Sequence, residues 1–178
     1  MLKKILIAVV VVIVALLGYA ATRPDSFRVE RKATIQAPPE KVFALINDFH
    51  QWPQWSPWEH LDPNMKRTMG GATAGPGATY AWEGNKDVGS GRMEIKQSVP
   101  ASKIDIQLDF LQPFEAHNTA EFTLAPQGTA TEVTWAMYGP ANYVTKLMCI
   151  FFSMDKMVGP DFEKGLANMK AVAEKTPA

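Results

Sequence analysis

From residue 65 to residue 138, apolar and polar side chains alternate through one short segment after another. In residues 103–111, Ile104, Ile106, Leu108 and Phe110 share one parity, and Lys103, Asp105, Gln107 and Asp109 share the other. A period of two is the strand period, because successive side chains leave opposite faces of the chain. The same pattern predicts strands at 27–35, 65–69, 78–83, 91–99, 116–124 and 130–138. Turn formers lie between them: the loop 70–77 (GGATAGPG), Gly84-Asn85, Pro126-Gln127-Gly128, and Gly139-Pro140 at the end.

Helical signals flank the strands. Ala37-Pro38-Pro39-Glu40 opens a first helix, with prolines in the first turn and an acid at its positive end. Val42, Leu45, Ile46 and Phe49 then follow on one face. Residues 141–175 read as helical, with Phe151, Met154, Val158, Phe162, Leu166 and Met169 on one stripe. Gly159-Pro160 is expected to kink or divide that helix. An antiparallel sheet with helices on one side is an α+β architecture. A sheet of about seven strands must twist and curl. Curled around a long C-terminal helix, it leaves room for a cavity.

The chain has 178 residues, which fits one domain and an appendage. The appendage is the charge-free run 5–21 behind Lys3 and Lys4. At 1.5 Å per residue this run spans about 25 Å, near the lower limit for crossing a bilayer. Residues 1–21 are read as a membrane anchor, with a cleavable signal peptide as the alternative because Gly18-Tyr19-Ala20 is a tolerable cleavage site. The length of the run favours the anchor. Lys3 and Lys4 would stay cytoplasmic and the domain would lie on the extracytoplasmic, periplasm-like side. Residues 22–26 (TRPDS) are then a linker and 27–175 the domain.

Several function classes are disfavoured. Lys and Arg number 18, as do Asp and Glu, so no basic excess points to nucleic acid. Cys149 stands alone and is read as a small buried hydrophobe in a helix. His50, His60 and His117 lack ligand spacing, so no metal is expected. The loop 70–77 lacks the ending of a P-loop and the spacing of a dinucleotide fingerprint, so no cofactor is expected either. Asp105 and Asp109 fall opposite the apolar face, where solvent is their expected neighbour. Nothing in the sequence specifies an oligomer.

The stretch Ile35-Gln-Ala-Pro-Pro-Glu-Lys-Val-Phe43, followed by Asn47-Asp-Phe-His-Gln-Trp-Pro-Gln-Trp-Ser-Pro-Trp58, resembles the opening of the START/Bet v1-like (SRPBCC) superfamily. More narrowly, it resembles the polyketide cyclase/dehydrase and lipid transport group. The resemblance implies a helix-grip fold, with a seven-stranded antiparallel sheet around the C-terminal helix and an internal hydrophobic cavity. Members bind lipids, sterols, hormones or polyketides, and some catalyse cyclisation. The membrane segment is not part of that pattern.

Trp82, Met93, Phe110, Phe114, Trp135, Met137, Met154 and Met157 are the residues expected to face such an interior. Methionines suit irregular apolar ligands, although the same residues can simply fill a core. In HQWPQWSPWEH (residues 50–60), Trp52, Trp55 and Trp58 recur every third residue, the period of a 3₁₀ turn. They act as a core plug or a ligand clamp, with Trp55 and Trp58 the expected ligand contacts. Three functions stay open. The first is a membrane-tethered binding module for a hydrophobic small molecule or lipid. The second is a cyclase-type enzyme, for which His117 and Asp155 are weak catalytic candidates beside Glu59 and His60. The third is a non-catalytic partner of another membrane component, using the apolar run 147–152.

Overall fold

The alternating segments do form strands. In the computed structural model, which describes residues 1–175, seven strands make one antiparallel sheet in the order β1-β7-β6-β5-β4-β3-β2. They are β1 (Ser26–Ile35), β2 (Lys66–Gly71), β3 (Ala78–Glu83), β4 (Ser90–Val99), β5 (Lys103–Gln112), β6 (Ala116–Gln127) and β7 (Ala130–Pro140). Each pair is in a register that puts apolar residues together on the inner face. Trp82 pairs with Gly91 and Gly91 with Phe110; Tyr80 pairs with Met93 and Met93 with Leu108. Ala120 pairs with Met137, and Phe122 with Trp135. Small residues relieve two of these rows, at Gly91 and at Ala120, while Tyr80-Met93-Leu108 and Phe122-Trp135 set large side chains next to one another. At Gly91 a Cβ would sit 2.4 Å from the Trp82 ring, so only glycine lets that indole lie flat across β4.

Among the described residues there are also four α-helices: α1 (Leu2–Ala21), α2 (Pro39–Asn47), α3 (Tyr143–Phe151) and α4 (Met154–Lys175). Phe162, Leu166, Met169 and Ala173 bury the inner side of α4 against the sheet. The Phe162 ring stacks on Trp135 at 4.2 Å and 6°. Arg31 of β1 fixes the start of α4. It gives two hydrogen bonds to Asp155, at 2.7 and 3.0 Å, and one to Glu163 at 2.7 Å. This is a helix-grip, Bet v1-like α+β fold with an N-terminal apolar helix.

The C-terminal segment departs from expectation in three ways. Its division falls at Phe152-Ser153, between α3 and α4, and α4 runs on through Gly159 and Pro160. Gly159 is there for tertiary reasons, since a Cβ would meet the Arg31 guanidinium at 2.1 Å. Because the division precedes α4, Phe151 leaves the apolar stripe and stands 66% exposed. The third difference is Cys149, which is half-buried on α3 and not in the core.

α1 is 20 residues long, has a mean hydropathy of 2.6 over its most apolar window, and is almost wholly exposed. It is long and apolar enough to cross a bilayer, and a signal sequence near the N-terminus has the same character.

Candidate functional site

A cavity of about 380 Å³ lies between the inner face of the sheet, the start of α4 and the tryptophan segment. That is at the small end of the range for ligand sites. Of the candidate ligand contacts, Trp58, Trp82, Met93, Phe110, Trp135, Met137 and Met157 line it. Its exposed lining residues, Lys86, Asp87, Gln112, Pro113 and Met157, mark its open side, with Val88, Gly89 and Asp161 part-buried in the same lining. Asp62 positions the loop 86–89: its carboxylate accepts from the backbone N–H of Asn85 at 2.7 Å.

Three predicted contacts lie elsewhere. Phe114 is 68% exposed beside the opening, and Met154 packs at the edge of the core. Trp55 is fully buried behind the wall. Its Nε1–H donates to the Leu45 carbonyl at 2.9 Å, and the Nε1–H of Trp52 donates to the Ile46 carbonyl at 3.0 Å. These carbonyls belong to the last turn of α2, which has no intrahelical donors left for them. The two indoles therefore cap α2 from the next segment of chain. Two 3₁₀ turns, Phe49–Gln54 and Pro57–His60, carry the tryptophans. Trp55 and Trp58 both meet Trp135 edge-on, at 5.5 and 5.6 Å. The segment is a plug at Trp55 and a cavity wall at Trp52 and Trp58.

The polar side of the cavity contains residues that periodicity did not single out. Glu59 is 5% exposed and lines the cavity with Tyr80. The Tyr80 hydroxyl donates to Glu59 Oε1 at 2.6 Å, and Arg67 Nε donates to Oε2 at 2.6 Å. Burial pushes the Tyr80 phenol well above its ordinary pKa, and the Glu59 carboxylate adds to that rise. With Tyr80 and Arg67 in place, each Glu59 oxygen keeps further acceptor capacity. This pole presents acceptors to a ligand's O–H or N–H. Asp161 is part-buried in the lining, where burial raises its carboxyl pKa against the smaller opposing pull of Lys164.

His117 and Asp155 do not face the cavity. His117 is on the outer face of the sheet, where Nδ1 is 2.8 Å from Asp109 Oδ1. Asp109 is not solvated as expected: it is 2% exposed beneath Arg92, Gln107 and His117. Burial would raise its pKa, but hydrogen bonds from His117, Arg92 and Gln107 outweigh that and hold it below the usual carboxylate value. Asp155 is the partner of Arg31, whose hydrogen bonds lower its pKa. Among the described residues, no cluster of His, Cys, Asp and Glu is arranged to hold a metal ion.

Solved structures share this architecture. Protein MLL2253 from Mesorhizobium loti matches with a TM-score of 0.61 at 17% identity, over 85% of this chain and all of that one. The di-domain ARO/CYC BexL from the BE-7585A biosynthetic pathway matches at 0.63 and 13% identity, over 90% of this chain and 54% of that one. Ara h 8.0201 matches at 0.54 and 11% identity, over 85% and 99%. At these identities the likeness is one of fold. No curated protein matches the chain. The family model for polyketide cyclase / dehydrase and lipid transport proteins matches residues 26–174, and the chain belongs to that family.

Proposed function

We propose that the protein is a membrane-tethered binding module that takes up a hydrophobic small molecule in its internal cavity. The observation that carries this is the cavity itself, walled by tryptophan, phenylalanine and methionine with one acceptor pole at Glu59 and Tyr80. Membership of a family that includes lipid transport proteins supports it. α1 supplies the tether in this reading, which places the domain outside the cytoplasm behind Lys3 and Lys4. The preferred ligand is largely apolar and carries one hydroxyl or amine to meet the pole.

The cavity is lined by tryptophans, so binding is readable in their fluorescence. Titration with 2-naphthol, against naphthalene as the hydroxyl-free control, should give saturable quenching that is tighter for the naphthol. Ala120→Phe, on the cavity wall, should abolish both responses. Equal, non-saturable quenching by the two compounds in the native chain would sink the reading.

The cyclase alternative has lost His117 and Asp155 to the outer surface and to an ion pair, and rests on Glu59 and Asp161. The partner alternative is favoured by one observation, the exposure of Met148, Phe151 and Phe152.

A further inference from the structure

α3 is built inside out. Lys146, its one charged side chain, is buried and ion-paired with Asp25. Val144, Met148 and Phe151 on the helix, and Phe152 just after it, stand 41–66% exposed. A helix on the surface of a water-soluble domain has the opposite pattern, with its apolar stripe inward and its charges outward. Scattered exposed apolar residues need no explanation, but a contiguous set of this size does.

Two further observations say what covers this face. α3 packs against α1, and the Tyr143 hydroxyl donates to the Leu17 carbonyl of α1 at 2.8 Å. The face is therefore continuous with a helix whose whole length suits hydrocarbon. The exposed set also continues to the cavity: Met157, in the first turns of α4, is 55% exposed and lines the opening. Phe114, 68% exposed, follows Pro113, which lines the same opening.

We propose that α3 and the α3–α4 elbow lie in the membrane surface, so that the cavity opens against lipid. The proposal rests on α1 crossing that membrane. It identifies the source of the ligand as the bilayer: an apolar molecule passes from lipid past Phe152 and Met157 to the tryptophan wall without crossing water. The face is then a docking surface for lipid and not for a protein.

Cys149, the chain's single cysteine, lies on α3 and gives a native reporter. The full chain is spin-labelled there in nanodiscs of phosphatidylcholine and phosphatidylglycerol. Collision with oxygen, which concentrates in lipid, is compared with collision with a water-soluble nickel chelate. Two controls in a Cys149→Ser background carry the label at Val11→Cys in α1 and at Glu94→Cys on β4. The label at Cys149 should report lipid, as at 11, while that at 94 reports water. Phe151→Ser with Phe152→Ser should shift the Cys149 oxygen-to-nickel ratio several-fold toward the value at 94. Lipid at 11 with water at Cys149 overturns the docking while leaving the tether intact, and turns the face over to a protein partner. Water at 11 as well removes the tether and the docking with it.

Discussion

Trp55 and Trp58 sit three residues apart and divide the two tasks that their segment offers. Trp55 fills the core and caps α2, so Trp55→Ala should cost about 3–5 kcal/mol in a urea melt. The folded fraction should still bind 2-naphthol nearly as the native chain does. Trp58→Ala should do the reverse: a smaller loss of stability and a weakened naphthol titration. The outer-face pair behaves differently again. The hydrogen bond that its Nδ1–H donates to Asp109 raises the His117 pKa above its ordinary 6.5. A raised histidine pKa adds stability that is fully present below 6.5 and is lost as pH rises through the folded value. NMR titration of the imidazole should therefore give a midpoint above 6.5, and Asp109→Asn should bring it back toward 6.5. Tyr80 and Asp161 were not singled out in the sequence, and Glu59 stood there only among the weak cyclase candidates, for a physical reason. Charged residues are usually surface residues, and only the three-dimensional meeting of β2, β3 and the second 3₁₀ turn reveals that Glu59 is enclosed. Tyr80 was the more readable of the three, because it shares parity with Ala78 and Trp82 on β3.

Among the elements, strands were legible nearly to their ends, because alternation is a local property that burial on one face enforces. Residues 103–111 became β5, and 78–83 became β3 unchanged. The helices at the C-terminus were less legible. Gly159-Pro160 carries the strongest breaking signal of that segment, yet Gly159 makes room for Arg31 and Pro160 is exposed, where water can meet the carbonyl that the missing N–H leaves free. The actual division at Phe152-Ser153 has no glycine or proline to announce it. Gly165 shows the same tertiary logic. A Cβ there would lie 2.6 Å from the Trp135 ring and 3.2 Å from Pro57 Cδ. Trp135 is held between Phe122 and Phe162 and cannot move aside. Gly165→Ala gains about 1 kcal/mol of helix propensity but should lose about 1–3 kcal/mol to overpacking. The expected outcome is a lower melting temperature with a changed tryptophan emission.

For the molecule as a whole, the antiparallel α+β layering followed from element order, and the helix-grip fold from the family that residues 35–58 resemble. The cavity did not follow. The same apolar residues could have closed on one another, because their alternation is the same around a hollow interior as around a filled one. Tethering is the claim that belongs to this scale. Membranes carrying the native chain should retain it through an alkaline carbonate wash, whereas the chain without residues 1–21 should be released.

The connection between α1 and β1 is only Thr22 to Asp25. Four residues reach about 14 Å even when fully extended. Asp25 is also held to the domain, through its carbonyl to the Ala141 N–H at 2.8 Å and through its carboxylate to Lys146. With α1 in a bilayer and the ligand dissolved in that bilayer, so short a leash turns the search for ligand into a two-dimensional one. Encounter is then set by lateral diffusion and by the ligand's mole fraction in the leaflet, and its concentration in the surrounding water hardly enters.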